Sequence, residues 1–200
     1  MKNHSRLRRT AAVTFAMTVG AAAVPAASSA ACPFPKLDLT WARGVGLTDM
    51  MIWNTTVAMN DWSARTKVNI TEIGDQARAD IVVSAADVQV WPIGQPANVN
   101  AVTAQKCQNG KSVGQKTIAF DNNRPEVFGF NDRARRTAAH EVGHALGLED
   151  NNRTEGTCGP GIPRNVTIMT IPASYTPNGG VCGPTLAATD DINGVNAIYK

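Results

Sequence analysis

The sequence predicts an α+β domain, and three observations carry that reading. Helical periodicity occurs in three separate places, around residues 45–62, 131–147 and 188–199. Runs suited to strands fall together between the first and second of these. A stretch dense in Gly and Pro, residues 149–188, separates the second from the third. The order is helix, strands, helix, irregular chain, helix, without the regular strand–helix alternation of an all-parallel protein. A twisted mixed sheet packed on two helices, with the irregular part lying over the site, satisfies that order.

In the first element, "VGLTDMMIWNTTVAMNDW", Met50, Trp53, Val57 and, one step round, Trp62 share a helical face. Thr48 is placed to cap it, with Asp49 in the first turn. "KVNITEI" (67–73) alternates and is β-branched, as a strand does. "ADIVVSAADV" (79–88) is a continuous apolar run, which suits a strand buried on both faces. Residues 91–115 read as loop, and "KTIAFD" (116–121) as a further strand. The helix at 131–147 is capped by Asn131 or Asp132 and stopped by Gly147. The last helix is capped by Thr189, with Asp190 and Asp191 at its positive end as charges rather than ligands. Its apolar face is Ile192, Val195, Ile198 and Tyr199. Trp41, Trp53, Trp62 and Trp91 read as core, and "RARR" at 133–136 as a solvated face.

Residues 1–31 have the layout of a secretory signal peptide: basic residues, a short apolar run, then small residues before a cut after Ala30 or Ala31. Arg8-Arg9 offers a twin-arginine variant of the same export, in a poorly matching context. Residues 32–200 then form a single domain. Lys2, Arg6, Arg8 and Arg9 leave with the leader, so 15 of the 19 basic residues face all 16 acidic ones and the mature charge is −1. That balance points to no nucleic-acid or membrane partner; the leader implies a secreted chain, expected to be a monomer. An even number of cysteines in an exported chain favours disulfides. Three pairings are open. Cys158–Cys182 closes the shorter loop, and Cys32–Cys107 would then tie the new N-terminus to the domain. Cys32 as a lipidated first residue is the competing reading, against which Ser29 stands in place of a large aliphatic residue.

The chemistry lies in "AAHEVGHALGLED". His140 and His144, four apart on a helix, can turn imidazole nitrogens to one ion. Glu141, about 100° round from His140, suits a base that takes a proton from an attacking water. A catalytic zinc needs a third protein ligand. His4 leaves with the leader, so no third histidine exists and the ligand is Asp, Glu or Cys. Gly147 permits a positive-φ turn out of the helix. The usual extended pattern places the third ligand six residues past the second histidine, which favours Asp150 over Glu149 and the more distant Glu155.

"HEVGHALGLED" resembles the extended zinc signature of the metzincin metalloproteases, in the variant with Asp in last place found in snapalysin-like members. Met169 in "TIMTIP" is similar to the methionine of their Met-turn, and Cys158 and Cys182 flank it as a pair does there. "RADIVV", "KTIAFD" and "DDINGVNAIY" look more loosely like the strands and last helix of matrixins. The resemblance implies a secreted zinc endopeptidase acting on protein or peptide substrates, with Glu141 as general base. It makes "KTIAFD" the sheet edge that pairs with substrate, and residues 170–175 the wall of the pocket after the cleaved bond, which in snapalysin-like enzymes favours aromatic residues. It also implies structural Ca2+, for which Asp121, Asn122 and Asn123 offer oxygens. Asn151 and Asn152 stand where snapalysin has a tyrosine, which leaves Tyr175 as the candidate oxyanion partner. Two alternatives differ in class: an exported zinc-stabilised binding domain, and a deuterolysin-type aspzincin, whose separate downstream Asp motif has no match here.

Overall fold

The computed structural model describes residues 32–88, 99–124, 129, 131–171 and 173–200; the leader and Trp91 lie outside them. The elements run β1 (Asp38–Arg43), α1 (Asp49–Arg65), β2 (Asn69–Glu72), β3 (Ile81–Ala86), β4 (Ala101–Ala104), β5 (Cys107–Gln108), β6 (Lys111–Ser112), β7 (Lys116–Asp121), α2 (Asp132–Ala145), β8 (Thr154–Thr157), β9 (Pro163–Asn165) and α3 (Thr189–Ile198). The fold is α+β, as expected. Its main sheet has the order β2-β1-β3-β7-β4, parallel except for the antiparallel β4–β7 pair. A βαβ unit in which α1 links parallel β1 and β2 places that helix on one sheet face.

The core lies between that face and the helices. Leu39 and Trp41 of β1, Ile81 and Val83 of β3, and Ile118 and Phe120 of β7 point into it at period two. Val82 points the other way, under Ala42, Ala79 and Ile73, so β3 is covered on both sides as its apolar run implied. Trp62 joins the layers: it is fully buried, and its indole N–H donates to the Ala139 carbonyl of α2 at 3.0 Å. Burial of the ring with its one polar atom satisfied fixes how α2 lies across α1.

Several sequence expectations need correcting. On α1, Thr48 caps as expected, its hydroxyl accepting from Met51 N–H at 3.3 Å. The buried stripe, however, is Met51, Asn54, Thr55, Ala58, Met59 and Trp62. Met50 and Val57 are only partly covered, and Trp53 is exposed beneath the Arg135 guanidinium, 5.1 Å from its ring centre. The true stripe includes small and polar residues that an apolar count skips. "KTIAFD" is not the sheet edge: β7 is flanked by β3 and by β4, and β4 is the outer strand among the described residues. β4 has four residues and β1 has only Leu39 and Trp41 on its inner face, too few for alternation to stand out. At α3 the N-cap is Ala188, not Thr189, and the Asp191 carboxylate accepts its N–H at 2.8 Å. The 149–188 stretch is irregular apart from the short β8–β9 hairpin.

Both cysteine pairs are Cys32–Cys107 and Cys158–Cys182, each with Cα atoms 5.8 Å apart, so no cysteine is left for a lipid. The first straps residues 32–34 onto the end of α2. Lys116, at the start of β7, is fully buried there. Its ammonium donates to the carbonyls of Cys32 (2.6 Å) and Ala145 (2.7 Å) and lies 4.5 Å over the Phe34 ring. When protonated, it complements the dipole of the last turn of α2.

Burial lowers the Lys116 pKa from an ordinary 10.5 to about 7. Between those values the unfolded chain binds the proton and the folded chain does not, so this group makes stability rise with pH. Stability present above 10.5 is lost as pH falls toward 7. Urea midpoints from pH 7 to 10 are expected to rise for wild type relative to Lys116→Met. A constant difference across that range would contradict the burial argument.

Candidate metal centre

α2 begins at Asn131, whose side-chain oxygen accepts from Ala134 N–H at 2.8 Å, with Asp132 in the first turn. Its face carries His140 and His144. The rings meet edge-on with centroids 4.6 Å apart. His140 Nδ1 lies 3.0 Å from the Ile168 carbonyl and His144 Nδ1 2.9 Å from that of Leu148. Carbonyls only accept, so both Nδ1 atoms carry the proton and both Nε2 atoms present a lone pair.

The helix closes at Leu146. Gly147, at φ +100°, sends its N–H to His144 O (3.0 Å), and Leu148 N–H reaches Gly143 O (3.0 Å). These two bonds are a Schellman motif, which reverses the chain. A Cβ on Gly147 would also meet Pro33 at 3.1 Å. The reversal delivers Asp150, whose Oδ1 lies 3.1 Å from His140 Nε2 and 3.2 Å from His144 Nε2. The two Nε2 atoms are 3.1 Å apart. Glu149 and Glu155 are exposed and outside this group.

Three lone pairs thus converge on one point, an arrangement that needs a cation between them. Donors placed tetrahedrally at zinc's bond lengths lie roughly 3.3–3.4 Å from one another, close to the triangle seen here. Among the described residues this is the one group of three His, Cys, Asp or Glu side chains so placed. Burial alone would lower the His144 pKa, but the hydrogen bond to Asp150 and the charges of Glu141 and Asp150 outweigh it and hold the value at about 9. Burial would raise the pKa of Asp150, but hydrogen bonds from both imidazoles and their charge hold it well below the usual carboxylate range.

Glu141 is buried, and the Thr103 hydroxyl on β4 lies 2.7 Å from its Oε2. Met169 is buried under α2, where Gly143 leaves room for its sulfur: a Cβ there would sit 2.5 Å from Sδ.

A model of the matrixin family matches residues 49–200. The chain belongs to the matrixin family. This places it among the metzincin-clan zinc metalloproteases, whose signature its sequence resembles. Over 93 residues, 46% of this chain, it is also 30% identical to serralysin of Photorhabdus laumondii. That match covers 18% of the serralysin.

In this matrixin domain the loop under the imidazoles is held by residues that sequence reading missed. Arg136 is buried rather than solvated. It donates to the carbonyls of Ile168 (3.1 Å), Thr170 (3.1 Å) and Pro184 (2.8 Å). A sequence signal existed: Arg136, His140 and His144 are successive i, i+4 positions and share a face. Asp191 is likewise buried and accepts Ile168 N–H at 2.8 Å. Burial raises its pKa against those bonds and the Arg136 charge. Asn151 N–H reaches Met169 O (3.0 Å) and Ile171 N–H reaches Asn151 O (2.6 Å), tying the residue after Asp150 to the Met169 loop. Tyr175 stacks under the Arg133 guanidinium at 4.2 Å, seven residues before His140 and thus about 10 Å along the helix. Asp121 Oδ1 accepts from Asn123 N–H (3.0 Å) and Oδ2 faces Arg124 Nε at 3.7 Å, so a side-chain cation already stands beside the carboxylate offered to calcium.

Alanine ordinarily stabilises a helix interior by about 1 kcal/mol over glycine. At Gly143 the sign reverses, because Met169 must move: Gly143→Ala is expected to destabilise by roughly 1–3 kcal/mol. Thermal unfolding of the variant checks this, and a raised melting temperature would contradict the packing described.

Proposed function

We propose that this chain is a secreted, snapalysin-like zinc endopeptidase in which residues 1–31 direct export and residues 32–200 are the catalytic domain. The observation that carries the reading is the 3.1–3.2 Å triangle of His140 Nε2, His144 Nε2 and Asp150 Oδ1 on a matrixin chain. Two imidazoles and one carboxylate would hold zinc. Zinc, when bound, supplies a Lewis acid that polarises a scissile carbonyl and acidifies a water.

The protein's own groups do the rest. The carbonyls of Ile168 and Leu148 keep the imidazoles in the tautomer that leaves Nε2 bare. With zinc bound, Asp150 would leave the site one charge less positive than three histidines would, so more of the proton transfer would fall on the base. Glu141 is that base: it accepts the water's proton and passes it to the leaving amine. β4, the outer strand among the described residues, offers its edge to an extended peptide in place of β7, a role supported by its place in the sheet. Ile171, exposed and bonded to Asn151 beside the aspartate, begins the wall of the pocket beyond the cleaved bond. Both disulfides suit an extracellular enzyme.

Casein hydrolysis by the purified mature chain, abolished by a zinc chelator and restored by zinc, is the expected behaviour. Glu141→Ala is expected to keep its zinc and lose about 10²–10⁴-fold in kcat/KM, whereas Asp150→Ala loses the metal. Equal zinc content in wild type and Asp150→Ala would remove Asp150 from the ligand set. Zinc binding without hydrolysis of any peptide would favour a binding domain instead.

A further inference from the structure

Glu141 has one partner that no motif supplies. Thr103 lies in β4, where it pairs with Ile118 of β7, so its backbone is fixed by the sheet. Its hydroxyl is 2.7 Å from Glu141 Oε2 and 3.0 Å from the Glu141 backbone carbonyl. A hydroxyl has one proton to donate and lone pairs to receive one. With Glu141 as carboxylate, the shorter contact is the one the Thr103 proton fills. A bond to an ionised acceptor is about twice as strong as a neutral one. Oε1 is then the oxygen that would take the attacking water's proton. Thr103 gains and loses no proton over the cycle.

We propose that Thr103 is a positioning residue for the general base: from the fixed backbone of β4 it holds the Glu141 carboxylate in one rotamer. The arrangement also couples the base to the strand on which a substrate peptide would lie, since Thr103 belongs to β4. The proposal rests on the reading of Glu141 as the base.

Thr103→Val keeps the shape and removes the hydroxyl; Thr103→Ser keeps the hydroxyl. Zinc content and melting temperature of both are expected to match wild type. Steady-state peptide hydrolysis is expected to show kcat reduced about ten- to hundredfold in Thr103→Val, the loss of one bond to a charged group, with KM within about twofold. Thr103→Ser is expected to recover kcat to within about threefold of wild type. In a Glu141→Ala background, Thr103→Val is expected to cost nothing further. Wild-type kcat in Thr103→Val, a loss confined to KM, or no recovery in Thr103→Ser would overturn the proposal while leaving Glu141 as base. Full activity in Glu141→Ala would instead overturn the reading on which it rests.

Discussion

A helix can offer two imidazoles to one point but not a third donor at the same height. Side chains at i and i+4 share a face, and the next position on it is a full turn away along the axis. The third donor must come from beyond the helix end, on a chain that turns back sharply. Everything at this site follows from that constraint. Gly147 at φ +100° is the residue that meets it, and the paired bonds to His144 O and Gly143 O hold the reversal in place. The same turn directs the Leu148 carbonyl at His144 Nδ1, so one backbone feature delivers the aspartate and sets a histidine tautomer.

The turn is supported from outside the helix. Pro33 lies against the bare Cα of Gly147, and Lys116 joins the Ala145 carbonyl to that of Cys32. The strap at residues 32–34 is closed by Cys32–Cys107 and by the Tyr199 hydroxyl, which accepts from Phe34 N–H at 3.1 Å. Burial pushes the Tyr199 pKa up to about 12, so the accepting group stays a neutral phenol across ordinary pH. The end of α2 is thus gripped by the first described residues, by β7 and, through Tyr199, by the residue after α3. The position of Asp150 depends on contacts among segments far apart in the chain.

That dependence explains which parts of the site were legible. His140, Glu141, His144, Gly147 and Asp150 lie within eleven residues, and their relation is set by helix period and turn geometry alone. Element types were legible for the same reason: β7 and α2 fall where local pattern puts them. Strand order was not, because nothing in "KTIAFD" records that a four-residue strand lies outside it. Thr103 meets Glu141 across 38 positions and Arg136 meets Ile168 across 32, separations at which spacing carries no information. Trp53 and Trp62 show the related failure. Both look like core by composition, and only the packing of α2, with its carbonyl at Ala139 ready for an indole, decides which is buried.

The Met169 loop shows how an irregular segment can be as well placed as a helix. Residue 168 is fixed at both ends: its N–H is taken by Asp191, and its carbonyl receives both His140 Nδ1 and Arg136. A buried carboxylate and a buried guanidinium are costly to desolvate, and burial moves both pKa values toward the neutral form. Each is offset by hydrogen bonds to backbone, not by pairing with the other alone. Removing either would leave several peptide groups unpaired in the interior, each a loss of about 1–3 kcal/mol. The loop therefore has one low-energy position. Cys158–Cys182, 24 residues apart, narrows the alternatives further by roughly 3 kcal/mol of unfolded-chain entropy. An apolar loop could slide under the imidazoles; one held by directional bonds cannot, and the angle of His140 toward the shared point is fixed with it.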